Sequence, residues 1–175
     1  MAAVQLPPFA PIYRLDLTDP EAEWVDTGHV GIVQNWGNHL LLVNETMTVV
    51  DRDLVATSAS VPTPLDYRWS SVSPNGRYLA VRRADDVALF DMSVGALVAE
   101  LRRPEPVTGT DDMWFSSDSS EILLHAIGGG QPYAVFSTAD GTLLDVVEDE
   151  NWTYRSLAGD HHYVSLADAP GRTRR

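Results

Sequence analysis

Residues 69–101 read WSSVSPNGRYLAVRRADDVALFDMSVGALVAEL. Four short runs are separated by three turn signals. The first run spans about Tyr67 to Ser73, and Pro74-Asn75-Gly76 closes it; an Asn-Gly pair supplies the positive φ that a tight hairpin needs. Arg77 to Arg82 forms the second run, with Leu79 and Val81 on one face and Tyr78 and Ala80 on the other. Asp85-Asp86 turns the chain into Val87 to Asp91, and Ser93-Val94-Gly95 turns it again into Ala96 to Leu101. The spacing predicts four short antiparallel strands, with the imperfect alternation expected of strands buried between stacked sheets.

The unit recurs. Residues 114–147 read WFSSDSSEILLHAIGGGQPYAVFSTADGTLLDVV. Ser73 matches Ser116, Asn75 matches Asp118 and Leu79 matches Ile122 at an offset of 43 residues. After the longer loop at Gly128-Gly129-Gly130 the offset becomes 46, so that Phe90 matches Phe136, Gly95 matches Gly141 and Leu97 matches Leu143. An earlier copy has Gly37-Asn38 at its first turn, Leu40 to Val43 and Thr46 to Val50 as its second and third strands, and Leu54 to Ser58 as its fourth. Four-stranded units at a period of about forty residues signal the blades of a β-propeller, an all-β ring.

Both ends of the chain carry partial copies. IYRLDLTDPEAEWV aligns with VALFDMSVGALVAEL, placing Ile12 on Val87, Leu15 on Phe90 and Asp16 on Asp91, which makes a third and fourth strand. NWTYRSLAGDHHYVSLAD makes a first and second strand around Ala158-Gly159-Asp160. The expected single domain is thus a half-blade over about 11–26, blades over about 28–60, 66–102 and 111–148, a complementary half-blade over about 151–168, and a tail at 169–175. Joining the two halves would latch the ring with main-chain hydrogen bonds and remove its free edges. Joined within one chain they give a four-bladed ring; exchanged between two chains they give an eight-bladed homodimer.

Composition narrows the chemistry. The chain of 175 residues has no cysteine, so it has no disulfide framework and no thiol nucleophile. All twelve basic residues are arginine, which removes Schiff-base and lysine general-base mechanisms. A net charge of −13 repels nucleic acid and anionic membrane and favours basic protein partners. The opening MAAVQLPPFAP lacks a basic and then apolar leader, and no apolar run reaches a bilayer-spanning length, so a cytoplasmic location is expected.

VSPNGRYLAV resembles the first-turn sequence of WD-repeat and related bacterial propellers, and VALFD resembles their third strand. Gly28-His29 resembles the Gly-His pair that opens a repeat, and Asp86 resembles the aspartate of the family's Ser-His-Asp-Trp hydrogen-bond network. The third-strand dipeptides Leu15-Asp16, Val50-Asp51, Phe90-Asp91 and Phe136-Ser137 carry no tryptophan. The resemblance covers about Pro11 to Asp168. It implies a non-enzymatic scaffold that presents ring faces and a channel to protein partners. The alternative is a propeller with a small-ligand, carbohydrate-binding or hydrolytic site in its channel.

Catalytic, cofactor and metal sites are not expected. His161-His162 are strand neighbours that point to opposite faces, and His29, His39 and His125 fall on different blades. Gly128-Gly129-Gly130 lacks the lysine and helix of a phosphate loop. Glu148-Asp149-Glu150 and Asp51-Arg52-Asp53 read as solvated turns. The partner-binding expectation rests on Tyr67, Arg68, Trp69, Trp114, Trp152, Tyr154 and Arg155, all on or just before first strands, because aromatic residues with arginine dominate interface hot spots.

Overall fold

The computed structural model describes residues 10–14, 21, 23–67, 69–102, 112–125 and 133–147. β1 (Pro11–Arg14) pairs antiparallel with β2 (Val25–Val30). Three four-stranded antiparallel sheets follow. The first contains β3 (Ile32–Trp36), β4 (His39–Val43), β5 (Thr46–Val50) and β6 (Ala56–Pro62). The second contains β7 (Trp69–Val72), β8 (Tyr78–Arg82), β9 (Val87–Asp91) and β10 (Ala96–Leu101). The third contains β11 (Asp112–Phe115), β12 (Glu121–His125), β13 (Tyr133–Ser137) and β14 (Leu143–Val147). In each sheet spatial order follows chain order, and β7 and β11 lie against one another as inner strands. These are propeller blades; we number them 1 to 3, with β1–β2 as a half-blade ahead of them.

Strand register confirms the matched positions. Leu79 pairs with Phe90 and Phe90 with Leu97; Ile122 pairs with Phe136 and Phe136 with Leu143. Every pairing of third with fourth strand has a register shift, at Thr48/Val50, Leu97/Ala99 and Val135/Phe136. Such bulges sharpen local twist and give each blade its propeller shape.

The core is divided into layers between blades. Leu42, Val50 and Leu54 of blade 1 bury against one another with Ile12 of the half-blade packed on them. Leu41, Val43, Met47, Val49 and Val61 of blade 1 meet Val72, Leu79, Val81 and Met92 of blade 2. Ala80, Leu89 and Leu101 of blade 2 meet Met113, Phe115, Ile122, Leu124 and Phe136 of blade 3. Both faces of blades 1 and 2 are therefore buried, which is why their strands are apolar on both sides instead of alternating. Ile12 of β1 packs on blade 1 as Val87 of β9 packs on blade 3.

Several local expectations are corrected. Leu54 does not begin a strand: it sits in a turn at φ 61°, held by burial against Leu42 and Val50, and β6 starts at Ala56. Gly28-His29 lies on β2, so blade 1 opens instead at Ile32. The inner strand of blade 1, Ile32–Trp36, went unassigned in the sequence, although it directly precedes the Gly37-Asn38 turn. Trp69 pairs with Arg82, whereas Trp114 pairs with Leu123 and so stands where blade 2 has Ser71, which pairs with Ala80. Residues 128–130 and 148–175, including both histidines of the 161–162 pair and the expected C-terminal half-blade, lie outside the described residues.

Candidate functional site

Trp69 begins β7 and Arg82 ends β8, directly opposite it. The connection from blade 1 reaches this point through Leu65, Asp66 and Tyr67. Asp66 fixes that connection by accepting a hydrogen bond from the Ala84 N–H at 3.3 Å. Leu65 is 74% exposed and Trp69 56% exposed. Ser70 bonds Gln34 of blade 1, which turns the adjacent Trp69 to the other face of the strand.

Tyr67 is used differently. It packs against the layer between blades 1 and 2, and its hydroxyl accepts a hydrogen bond from Gln34 Nε2 at 2.6 Å. Gln34 Oε1 in turn accepts one from the Ser70 hydroxyl. This chain of polar groups ties the inner strands β3 and β7 together, so Tyr67 is an inter-blade tie with only part of its ring at the surface. Trp114 packs on Leu123, Tyr133 and Val135 of its own blade and lies 6.1 Å from the His125 ring. His125 stacks on Tyr133 with centroids 4.3 Å apart. Arg68, Trp152, Tyr154 and Arg155 lie outside the described residues. The structure thus places Tyr67 at the junction of blades 1 and 2, Trp69 exposed at the start of β7, and Trp114 on blade 3.

A charged cluster borders the Trp69 end of blade 2. Both ends of the Arg83 guanidinium bond Asp86, and one also reaches Glu100 at 2.8 Å. Arg102 stands 3.8 Å from Asp86. The Arg83 guanidinium is held well above its ordinary pKa, first by its bonds to Asp86 and then by Glu100. Asp86 is therefore one end of an arginine pair and not part of a histidine–tryptophan network. At the opposite end of the blade, Asp91 accepts two bonds from Arg77 and others from Ser93. Those bonds, Arg77's first, pull its carboxyl down to about 2.

His39 and His125 serve packing. His39 donates a ring hydrogen bond to the Pro74 carbonyl at 3.0 Å, and its ring fills the space beside Gly76, where a Cβ would come within 2.7 Å of it. Among the described residues no three of His, Asp and Glu converge on a point that would hold a metal ion.

Comparison with known proteins places the fold. No family profile and no curated protein sequence matches the chain. Solved structures do. Kluyveromyces lactis Hsv2, a seven-bladed propeller, matches with a TM-score of 0.52 and 19% identity over 75% of this chain and 45% of its own. Kluyveromyces marxianus Hsv2 matches at 0.51 and 16% identity over 71% and 42%. A eukaryotic initiation factor structure matches at 0.51 and 12% identity over 86% and 43%. The chain spans less than half the length of each. Together with the blades above, these matches define the chain as β-propeller in fold.

Proposed function

We propose that this propeller is a protein-interaction scaffold, in line with its WD-repeat-like turns, and that the Leu65–Trp69 end of blade 2 is part of its docking face. The observation that carries this reading is the exposure of two large apolar side chains on one short stretch of chain, Leu65 at 74% and Trp69 at 56%, with Trp69 directly opposite Arg82. Large adjacent apolar groups rimmed by charge mark association surfaces, and tryptophan and arginine contribute most at them. His125 and Tyr133 lie at the corresponding end of blade 3, since Asp112 and His125 pair there as Trp69 and Arg82 do on blade 2. The net charge of −13 favours a basic partner and steers its approach.

The test compares wild type with Leu65→Ser/Trp69→Ala as baits on the same resin, with circular dichroism and melting checked first. Specific proteins retained by wild type and lost by a folded variant support the scaffold. Identical retention by both removes Trp69 from any docking face. Thermal shifts on a panel of oligosaccharides and small metabolites provide the other arm. A saturable shift with no protein retained favours a ligand-binding or hydrolytic channel instead.

A further inference from the structure

Asn75 is the only asparagine of the chain that precedes a glycine. Such a pair carries a reaction of its own, because glycine has no side chain to shield its amide nitrogen from the neighbouring carboxamide carbon. The fold keeps this pair in place. Gly76 sits at φ 72°, and a Cβ there would come within 2.7 Å of the His39 ring, so any side chain is both strained and crowded. The residue before it must supply a turn acceptor: Asn75 Oδ1 takes the Arg77 N–H at 2.9 Å and the Ser73 hydroxyl at 2.8 Å.

The same turn restrains the reacting atoms. The Gly76 N–H donates to the Ser73 carbonyl at 2.8 Å, so the nucleophile is engaged. The carboxamide is held by its two bonds at Oδ1, and the Asn75 N–H by Ser119 Oγ at 3.1 Å. Ring closure rotates the Asn75–Gly76 peptide and the carboxamide towards one another, out of these bonds. The leaving group is unrestrained: Asn75 is exposed, and its Nδ2 has no partner among the described residues. Blade 3 shows what a carboxylate does at this position. Asp118 accepts the Ser120 N–H at 2.9 Å and the Ser116 hydroxyl at 2.8 Å, the two bonds that the Asn75 carboxamide makes in blade 2.

We infer that Asn75-Gly76 is a site of spontaneous deamidation, controlled by opening of the first turn of blade 2, with one product that the fold accepts and one that it rejects. In the opened turn the deprotonated Gly76 nitrogen bonds to Asn75 Cγ, the Cγ–Nδ2 bond breaks and ammonia leaves. Water then opens the succinimide. Attack at Cγ gives aspartate, with the turn's acceptor kept as in blade 3. Attack at the main-chain carbonyl gives isoaspartate, in which the chain runs through Cβ and Cγ. The turn is then one backbone atom longer, and the oxygen that served Ser73 and Arg77 becomes a main-chain carbonyl. With it goes the placement of the Asn75 N–H against Ser119, which joins blades 2 and 3.

The test incubates the full chain folded, and separately unfolded in guanidinium, in the same mildly alkaline buffer. Peptide mapping by mass spectrometry, with labelling by a protein isoaspartyl methyltransferase, reads both products at position 75. The unfolded chain is expected to convert there before any other asparagine, and the folded chain at least about tenfold more slowly, since the turn must open first. Ser119→Ala is expected to speed conversion in the folded chain and leave the unfolded rate unchanged. Equal rates in folded and unfolded chain overturn the control by opening, and an Asn75 that survives in the unfolded chain overturns the site. Asn75→Asp is expected to melt with wild type, and aged chain enriched in isoaspartate to melt below it. An Asn75→Asp variant that melts as low as Asn75→Ala overturns the accepted product.

Discussion

Short polar residues at the turns of this chain replace backbone hydrogen bonds that the strands cannot make. Asn75 Oδ1 accepts from the Arg77 N–H at 2.9 Å and from Ser73 Oγ at 2.8 Å, and Asp118 repeats the pattern with Ser120 and Ser116. Gly76 takes the positive-φ position in the first turn, and Ser119 takes it in the second, at φ 65°. A serine is strained there, yet its Oγ accepts the Asn75 N–H at 3.1 Å and joins the first turns of blades 2 and 3. Ser119→Ala keeps the strain and loses the bond, so urea unfolding should show a loss of about 1 kcal/mol. Ser119→Gly loses the bond but relaxes a backbone strain of about 1 kcal/mol, and should lie near wild type. Asp91 gives a pH signature. Its carboxyl is lowered from 3.8 to about 2 in the folded chain, chiefly by Arg77. The unfolded chain therefore takes up the proton first, and the stabilisation is complete above about pH 4 and lost as pH falls towards 2. Asp91→Asn should melt lower than wild type at pH 7, by about 1 kcal/mol after allowing for solvent screening. That gap should close between pH 4 and pH 2 in paired melting curves. These roles were only partly visible in the sequence: Asp and Asn at turns are expected, but Ser119 bonds a residue 44 positions away.

Between elements, the repeated contact is a glycine turn of one blade against the outer strand of the preceding one. Gly95, at φ 68°, lies where a Cβ would come 3.1 Å from Ala59 Cβ; at Gly141, φ 73°, it would come 2.2 Å from Ala99 Cβ. Both glycines thus serve a backbone conformation and a close approach. Gly141→Ala should destabilise more than Gly95→Ala, each carrying about 1 kcal/mol from the left-handed backbone alone. Adding Ala99→Gly should recover the steric part of the Gly141→Ala loss but not the backbone part. A double-mutant cycle by denaturant unfolding measures that coupling, and strictly additive losses would rule the contact out. The match of Gly95 to Gly141 is legible in the sequence because both follow a third strand by the same interval. Their partners are not, since Ala59 and Ala99 look like any small residues until the blades are stacked.

At the scale of the whole molecule, stability is shared between sheets, because each core layer takes side chains from two blades. Leu89 lies in the layer between blades 2 and 3 and Met47 in that between blades 1 and 2. Either residue changed to Ala should cost about 2–5 kcal/mol and loosen both blades it joins, as read by hydrogen exchange across β7 to β14 or β3 to β10. Among the described residues the β1–β2 pair has one covered face and one exposed, so its amides should exchange fastest. The amino-acid sequence by itself determined the class of fold. Turn chemistry and apolar runs are local and repeat at nearly constant offsets, so blades 2 and 3 are readable strand by strand. It also determined the polarity of the surface and excluded thiol and lysine chemistry. Only the tertiary structure decided which aromatic residues reach solvent. Tyr67 and Trp69 stand two positions apart and look alike as a pair in sequence. Yet Tyr67 is drawn into the blade junction by Gln34, and Trp69 is left at the surface. That distinction depends on which sheet face meets a neighbour and how far each blade turns from the last. Both are properties of packing between segments some forty residues apart, and no local pattern encodes them.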